Sequence, residues 1–161
     1  MILDLVPKDH SLLTTKLEPF DFSNPPVDPI ELATDLTETM IAKNGIGLAA
    51  NQCGLPYRVF AIRSNPVFVC FNPRIVDASE EQIYLEEGCL TYPNYYVKIK
   101  RSKKIKVRFT LPNGHTETKI FDGITARIFQ HELDHLNGIH FMTRATLYHR
   151  QQAEKKSRRV A

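Results

Sequence analysis

The stretch FQHELDHLNG, Phe129 to Gly138, constrains this chain more than any other. Its His131-Glu132-x-x-His135 core sets two imidazoles four residues apart, hence on one face of a helix, with a carboxylate beside the first. Two histidines so placed can ligate one ion. A catalytic site of this kind takes three protein ligands and leaves a fourth position open. The same pattern also occurs as a solvated polar face, but here the flanks oppose that reading. Ile124 and Ile128 lie on the histidines' side, while Phe129, Leu133 and Leu136 cover much of the remainder. A helix apolar on several sides that also carries His-Glu-His needs a partner for its polar groups, and a metal is the economical one.

The third ligand is not on the same motif. A metzincin extension, H-E-x-x-H-x-x-G-x-x-H, finds Gly138 in register but Phe141 at the last position. His140 falls one residue short, a miss of about 100° on a helix. A thermolysin-like glutamate on a later helix points to Glu154, which sits in the basic stretch AEKKSRR with little to bury it. Upstream, LEEGCLTYP offers Cys89 between β-like runs. A thiolate suits a borderline-soft divalent ion. The other reading of a free cysteine is a small buried hydrophobe. Beside the histidine motif, the ligand reading is favoured.

The remaining chain reads as α+β: antiparallel β-sheets packed around a central helix that carries the metal motif. VDPIELATDLTETMIAKNG predicts a first helix, with Asp28 as N-cap, Pro29 in the first turn and Glu31 at capping-box spacing. Ile30, Ala33, Met40 and Ile41 give its apolar side, and Gly45 is its stop signal. YRVFAI, VFVCF, YYVKIK, KIKVRF and TETKIF are β-like. In KIKVRF, Ile105, Val107 and Phe109 face one way and the basic residues the other; Asn113-Gly114 predicts a tight turn into the next strand. Asp122 and Gly138 bound the motif helix.

At 161 residues this is one domain by expectation, here placed at 1–148, followed by a basic polar tail at 149–161 that reads as a short frayed helix. A formal charge of +3 is too mild to imply nucleic-acid binding. No apolar run reaches membrane-spanning length, and MILDLVPKDH lacks a signal peptide's basic start and long apolar segment. Cys53, Cys70 and Cys89 cannot all pair, which suits a reducing, cytoplasmic setting.

Three motifs, in order and with matching spacing, resemble those of the peptide deformylase family. GIGLAANQCG (Gly45 to Gly54) resembles G-x-G-L-A-A-x-Q, EEGCLTYP resembles E-G-C-L-S, and QHELDHLNG resembles Q-H-E-x-D-H-L-x-G, over about residues 28 to 145. The resemblance implies removal of the formyl group from N-formylmethionyl nascent polypeptides, with release of formate. It implies one divalent ion per chain, characteristically Fe²⁺, with Zn²⁺, Ni²⁺ or Co²⁺ able to occupy the same ligands: Cys89, His131 and His135. Glu132 would carry the proton, and Gln52 with the Leu90 backbone N–H would hold the formyl oxygen. Gly45, Ile46 and Gly47, with Glu87 and Gly88, would lie beside the substrate, and Ile124 and Ile128 would wall its methionine pocket.

The residues support several of these roles on their own chemistry. A metal-bound water reaches hydroxide near neutral pH, a carboxylate next to a ligand can take its proton, and a glutamine N–H can donate to an oxyanion. GIGLAA lacks the G-K-[ST] ending of a phosphate loop.

This sequence departs from the family in three places. Thr91 stands for the usual serine, Tyr96 where bacterial members often carry arginine, and Arg127 where an aliphatic residue is common. Arg127 must pair with a carboxylate or extend to the pocket rim; the rim, facing an acidic substrate residue, is the expectation. The resemblance also suggests a monomer, with the basic tail available to a ribosome. A peptidase shares the metal chemistry and a structural-metal domain part of the pattern. A glutamate beside three protein ligands favours catalysis over a structural site, and the three motifs together favour the deformylase over the peptidase.

Overall fold

In the computed structural model, which describes residues 1–160, helix α1 (Pro29–Ala42) begins as its sequence predicts. The Asp28 carboxylate accepts from the Ile30 N–H, and Pro29 occupies the first turn. The buried stripe is Leu32, Ala33, Leu36, Thr39 and Met40, whereas Ile30 and Ile41, expected on the apolar side, are exposed. The left-handed cap expected of Gly45 is taken by Asn44, with φ of 57°, and the Gly45 N–H returns to the Met40 carbonyl at 2.9 Å.

Seven strands follow: β1 (Gly47–Ala49), β2 (Val59–Ile62), β3 (Phe68–Ala78), β4 (Gln82–Cys89), β5 (Tyr92–Ser102), β6 (Lys104–Thr110) and β7 (Thr116–Asp122). Five form one antiparallel sheet in the order β1-β2-β3-β6-β7, and β4 pairs with β5 in a separate hairpin. The Asn113-Gly114 turn holds as expected: the Leu111 N–H bonds the His115 carbonyl, and Thr110 faces Thr116. Helix α2 (Gly123–Leu136) carries the HExxH motif; Asn137 caps it, and Gly138, with φ of 70°, follows in the left-handed region.

Strand alternation gives the five-stranded sheet two buried faces. Phe60, Ile62, Cys70, Ile105, Val107 and Phe109 meet Ala126, Ile128, Phe129 and Leu136 of α2. On the opposite face, Val59, Ala61, Val69 and Phe71 meet Leu32, Leu36 and Met40 of α1. The β4–β5 hairpin packs on α2 as well, so α2 is central, as expected.

The C-terminal stretch is helical, but longer than the short frayed helix expected: residues Leu147–Val160 form a 14-residue helix, α3, packed on β5. Ala153 is buried with Val97, Ile99, Phe141 and Ala145, and this small apolar contact was hidden in a polar sequence.

Candidate metal centre

Strand and helix repeats bring the motifs together. Alternate residues on a strand are about 6.6 Å apart, and four residues on a helix rise about 6 Å. Glu87 and Cys89, two apart on β4, therefore match His131 and His135, four apart on α2. Glu87 Oε1 lies 2.8 Å from His131 Nδ1, and Cys89 Sγ lies 3.3 Å from His135 Nε2. A register shift between Glu87 and Cys89 ends the regular hairpin at the thiol.

The ligand atoms of Cys89, His131 and His135 all lie within 4.8 Å of one another, a spacing a single ion can span. Among the described residues this is the one trio of its kind. Burial pushes the Cys53 thiol up to about 11 and Cys70 well above the ordinary thiol range, so neither offers a ready thiolate. His140, the near miss of the metzincin pattern, accepts from the Met142 N–H and caps a short turn. Glu154 is exposed and pairs with Arg158. The third ligand candidate is Cys89.

Glu87 dictates how His131 can bind. Burial alone would raise its pKa, but hydrogen bonds from His131 and Arg101 outweigh that and hold it at about 2. An ionised carboxylate only accepts, so Nδ1 of His131 carries the proton there, leaving Nε2 to face the trio. Burial disfavours the His131 imidazolium, yet Cys89 and Glu87 more than offset it and raise the pKa to about 10. At neutral pH without an ion, Nε2 therefore holds a proton as well, which a metal bound there would displace. His135, buried and close to His131, is pushed well below its usual pKa, which favours the neutral imidazole that a metal ligand would need.

Glu132 sits beside this set. It is buried, its Oε1 lies 4.0 Å from His131 Nε2, and its Oε2 has no hydrogen-bond partner. Burial pushes its pKa up to about 7, within the range of a group that exchanges protons at neutral pH. An orphaned carboxylate oxygen next to a Cys-His-His trio fits a metal site that includes water.

Gln52 is fixed from both ends. Its Oε1 accepts from the Ala49 N–H at 2.9 Å, which turns Nε2 toward Thr91 Oγ1 at 3.0 Å and Cys89 Sγ at 3.5 Å. Leu90, next to Cys89, contributes its side chain to the packing around α1. Gly47 allows β1 to approach α2: a Cβ there would meet Glu132 Oε1 and Ile128 Cγ2, each at 2.9 Å. At Gly45 it would meet Leu90 Cδ1 at 2.7 Å, and at Gly88 the Tyr96 ring at 2.5 Å. Ile46, between the first two glycines, is exposed.

The polypeptide deformylase family model matches residues 2–151. The chain belongs to the peptide deformylase family.

Among its relatives, the peptide deformylase of Thermotoga petrophila is 41% identical over 128 residues, 78% of this chain and 77% of that protein. The peptide deformylase of Synechocystis is 38% identical over 71% of this chain, and the match takes in 64% of the relative's length. The solved peptide deformylase of Thermotoga maritima superposes with a TM-score of 0.83 at 33% identity, covering 91% of this chain and 99% of that one. A Synechococcus elongatus peptide deformylase in complex with actinonin gives 0.87 at 28% identity, covering 96% and 86%.

Against the deformylase expectations, three placements change. Arg127 does not reach a pocket rim; it is 6% exposed and bonds Glu87 Oε2 at 2.6 Å and the Ile99 and Ile83 carbonyls at 2.7 Å each. Burial without partners is too costly for a guanidinium, and the hairpin supplies a carboxylate and two carbonyls. Glu87, expected beside the substrate, has both oxygens engaged by Arg101, Arg127 and His131. Ile124 is 62% exposed and forms no buried wall, whereas Ile128 is buried.

Sequence reasoning missed Arg101 and Asp134. Arg101 forks onto Glu87 and also donates to Asp134 Oδ2 at 2.9 Å, and Arg144 closes on Asp134 from outside. The aspartate stands within the quoted QHELDH motif, which was its one signal; Arg101 gave none beyond its place in a β-like run.

Proposed function

We propose that this chain removes the N-formyl group from N-formylmethionyl polypeptides and releases formate. The observation that carries the reading is the unpartnered, buried Glu132 carboxylate beside the Cys89-His131-His135 trio in a member of the peptide deformylase family. A divalent ion held by that trio would act as a Lewis acid and lower the pKa of the attacking water. Fe²⁺ is proposed as the native ion, with Zn²⁺, Ni²⁺ and Co²⁺ as substitutes, since one sulfur and two imidazole nitrogens accept all four.

The chain's own residues divide the remaining work. Glu132 takes the water's proton at Oε2 and delivers it to the leaving amine. Gln52 Nε2 donates to the formyl oxygen as negative charge develops there, and its amide is already aimed by Ala49 and Thr91. A donor fixed in advance contributes about 3 kcal/mol to such a step. The Leu90 N–H supplies the second donor. Gly45, Ile46 and Gly47 run along the substrate backbone with Gly88 opposite, and Ile128 lines the methionine side chain.

We further propose that the protein acts as a monomer in the cytoplasm, where nascent chains emerge. The exposed basic side chains of α3 (Arg150, Lys155, Lys156, Arg158 and Arg159) would be its contact with the ribosome. Among the described residues no helix is long and apolar enough to cross a membrane, and neither DNA nor membrane is proposed as a partner.

The substrate class is tested with one tripeptide. A peptide deformylase of Acinetobacter baumannii has been solved with Met-Ala-Ser bound, so formyl-Met-Ala-Ser and Met-Ala-Ser are the natural pair. Mass spectrometry should show loss of formyl from the first and no change in the second. Cleavage of internal peptide bonds in both would replace this reading with a peptidase.

A further inference from the structure

The buried charges between the hairpin and α2 carry a consequence for one residue. Glu87 is already served by Arg101, whose Nε and Nη2 reach Oε2 and Oε1 at 2.6 and 3.0 Å. Arg101 is shared with the buried Asp134, so Arg127 balances the charge of the cluster, yet burying a second guanidinium is costly unless its geometry is used. Arg127 places Nη1 on Glu87 Oε2 and on the Ile99 carbonyl of β5, and Nη2 on the Ile83 carbonyl of β4. One rigid fork on α2 thus touches both strands of the hairpin and the carboxylate that orients His131. Arg127 also lies one helical turn before His131, on the face that continues to His135.

The geometry follows from connectivity. Cys89 is two residues beyond Glu87 on β4, so any slide of the hairpin along α2 moves the thiol relative to both histidines. The apolar packing of Val97 and Ile99 on α3 and Phe141 is non-directional, so the Arg127 hydrogen bonds are the contacts that fix both strands against α2 by distance and angle. We propose that Arg127 is a positioning residue for the metal centre: through Glu87 it fixes the His131 ring, and through the Ile83 and Ile99 carbonyls it fixes the hairpin that carries Cys89. The proposal rests on the reading of Cys89, His131 and His135 as metal ligands.

The test uses Co²⁺ alone as probe, with the full chain reconstituted anaerobically. Wild type should bind one equivalent and show a thiolate-to-cobalt absorption band. Arg127→Lys keeps the charge but cannot span three acceptors, so Co²⁺ affinity should fall roughly 10–100-fold, the usual cost of losing a partner behind a ligand. Its cobalt bands should shift while far-UV circular dichroism stays unchanged. Arg127→Leu should lose at least as much affinity where it folds. Arg58→Lys is the control for a merely structural staple. Arg58 bonds the Leu136 carbonyl and Asn137 Oδ1 at the far end of α2, away from Glu87, so this variant should lower thermal stability and leave the cobalt bands in place.

Wild-type affinity and bands in Arg127→Lys would overturn the proposal, as would an equal spectral change in Arg58→Lys. Failure of wild type itself to take up Co²⁺ would instead overturn the metal-site reading.

Discussion

Two interfaces of the same molecule are built from opposite materials. Between α1 and the five-stranded sheet the contacts are apolar: Leu36 and Met40 are fully buried against Val59, Ala61 and Phe71, and aromatic edges of Phe20 and Phe22 close the layer. Between α2 and the β4–β5 hairpin, the buried groups are Glu87, Arg101, Arg127, His131, Asp134 and His135. Apolar packing is non-directional and tolerates small shifts, so it suits a scaffold. Charged hydrogen bonds specify distance and angle, at a desolvation cost that makes them poor general glue. We infer a division of labour: apolar layers on both faces of the sheet carry the stability of α1 and α2, and the charged interface sets the distances within the Cys89-His131-His135 trio.

That separation predicts a graded series. The largest effect belongs to the trio itself. Cys89→Ala and His135→Ala should each lose metal and deformylation together, measured as metal content after anaerobic purification and as formate release. Full metal occupancy with normal turnover in either variant would remove that residue from the centre. Next comes Glu132→Gln, which should keep the metal and lower turnover by about 10²–10⁴, the range for lost general acid–base catalysis. A near wild-type rate would assign the proton to another group.

On the apolar side the expected change moves to a different observable. Leu36→Ala leaves a void beneath the sheet and should cost about 2–5 kcal/mol in urea unfolding. Metal affinity and kcat should hold at temperatures where the variant is folded; a cobalt spectrum altered as strongly as in Arg127→Lys would show that the two interfaces are not separable. The smallest effect is expected at the outer face of α3. Lys155→Ala with Arg159→Ala changes exposed side chains only. Small-peptide turnover should therefore stay within a factor of two, roughly the range of neutral surface changes, while ribosome binding measured by co-sedimentation should weaken and become less salt-sensitive.

The sequence was most legible where chemistry depends on short spacing. His131, Glu132 and His135 lie within five residues, and Gln52 and Cys89 stand in short recognisable motifs. The β6–β7 hairpin was equally plain, because clean alternation and Asn113-Gly114 agree. Legibility failed where a residue's partner is distant along the chain. Arg127 meets Glu87 and Ile83 across 40 and 44 residues, and nothing in the local pattern distinguishes this burial from a rim position. β4 was also hard to read: QIYLEEGC carries two acids, one buried on α2 and one facing solvent, so its alternation is of environment rather than of hydrophobicity. The helix α3 was underread because Ala153 is, among its described side chains, the one buried residue in a charged surface.

The central claim is that the charged interface assembles one metal centre and that this centre performs the deformylation. It is tested most directly by stripping the metal with a chelator, adding Co²⁺ back in fractions of an equivalent, and following formate release from formyl-Met-Ala-Ser. Activity should vanish on stripping and return in proportion to bound cobalt, saturating at one ion per chain. Formate release that persists in metal-free protein, or that fails to follow occupancy, would contradict the account.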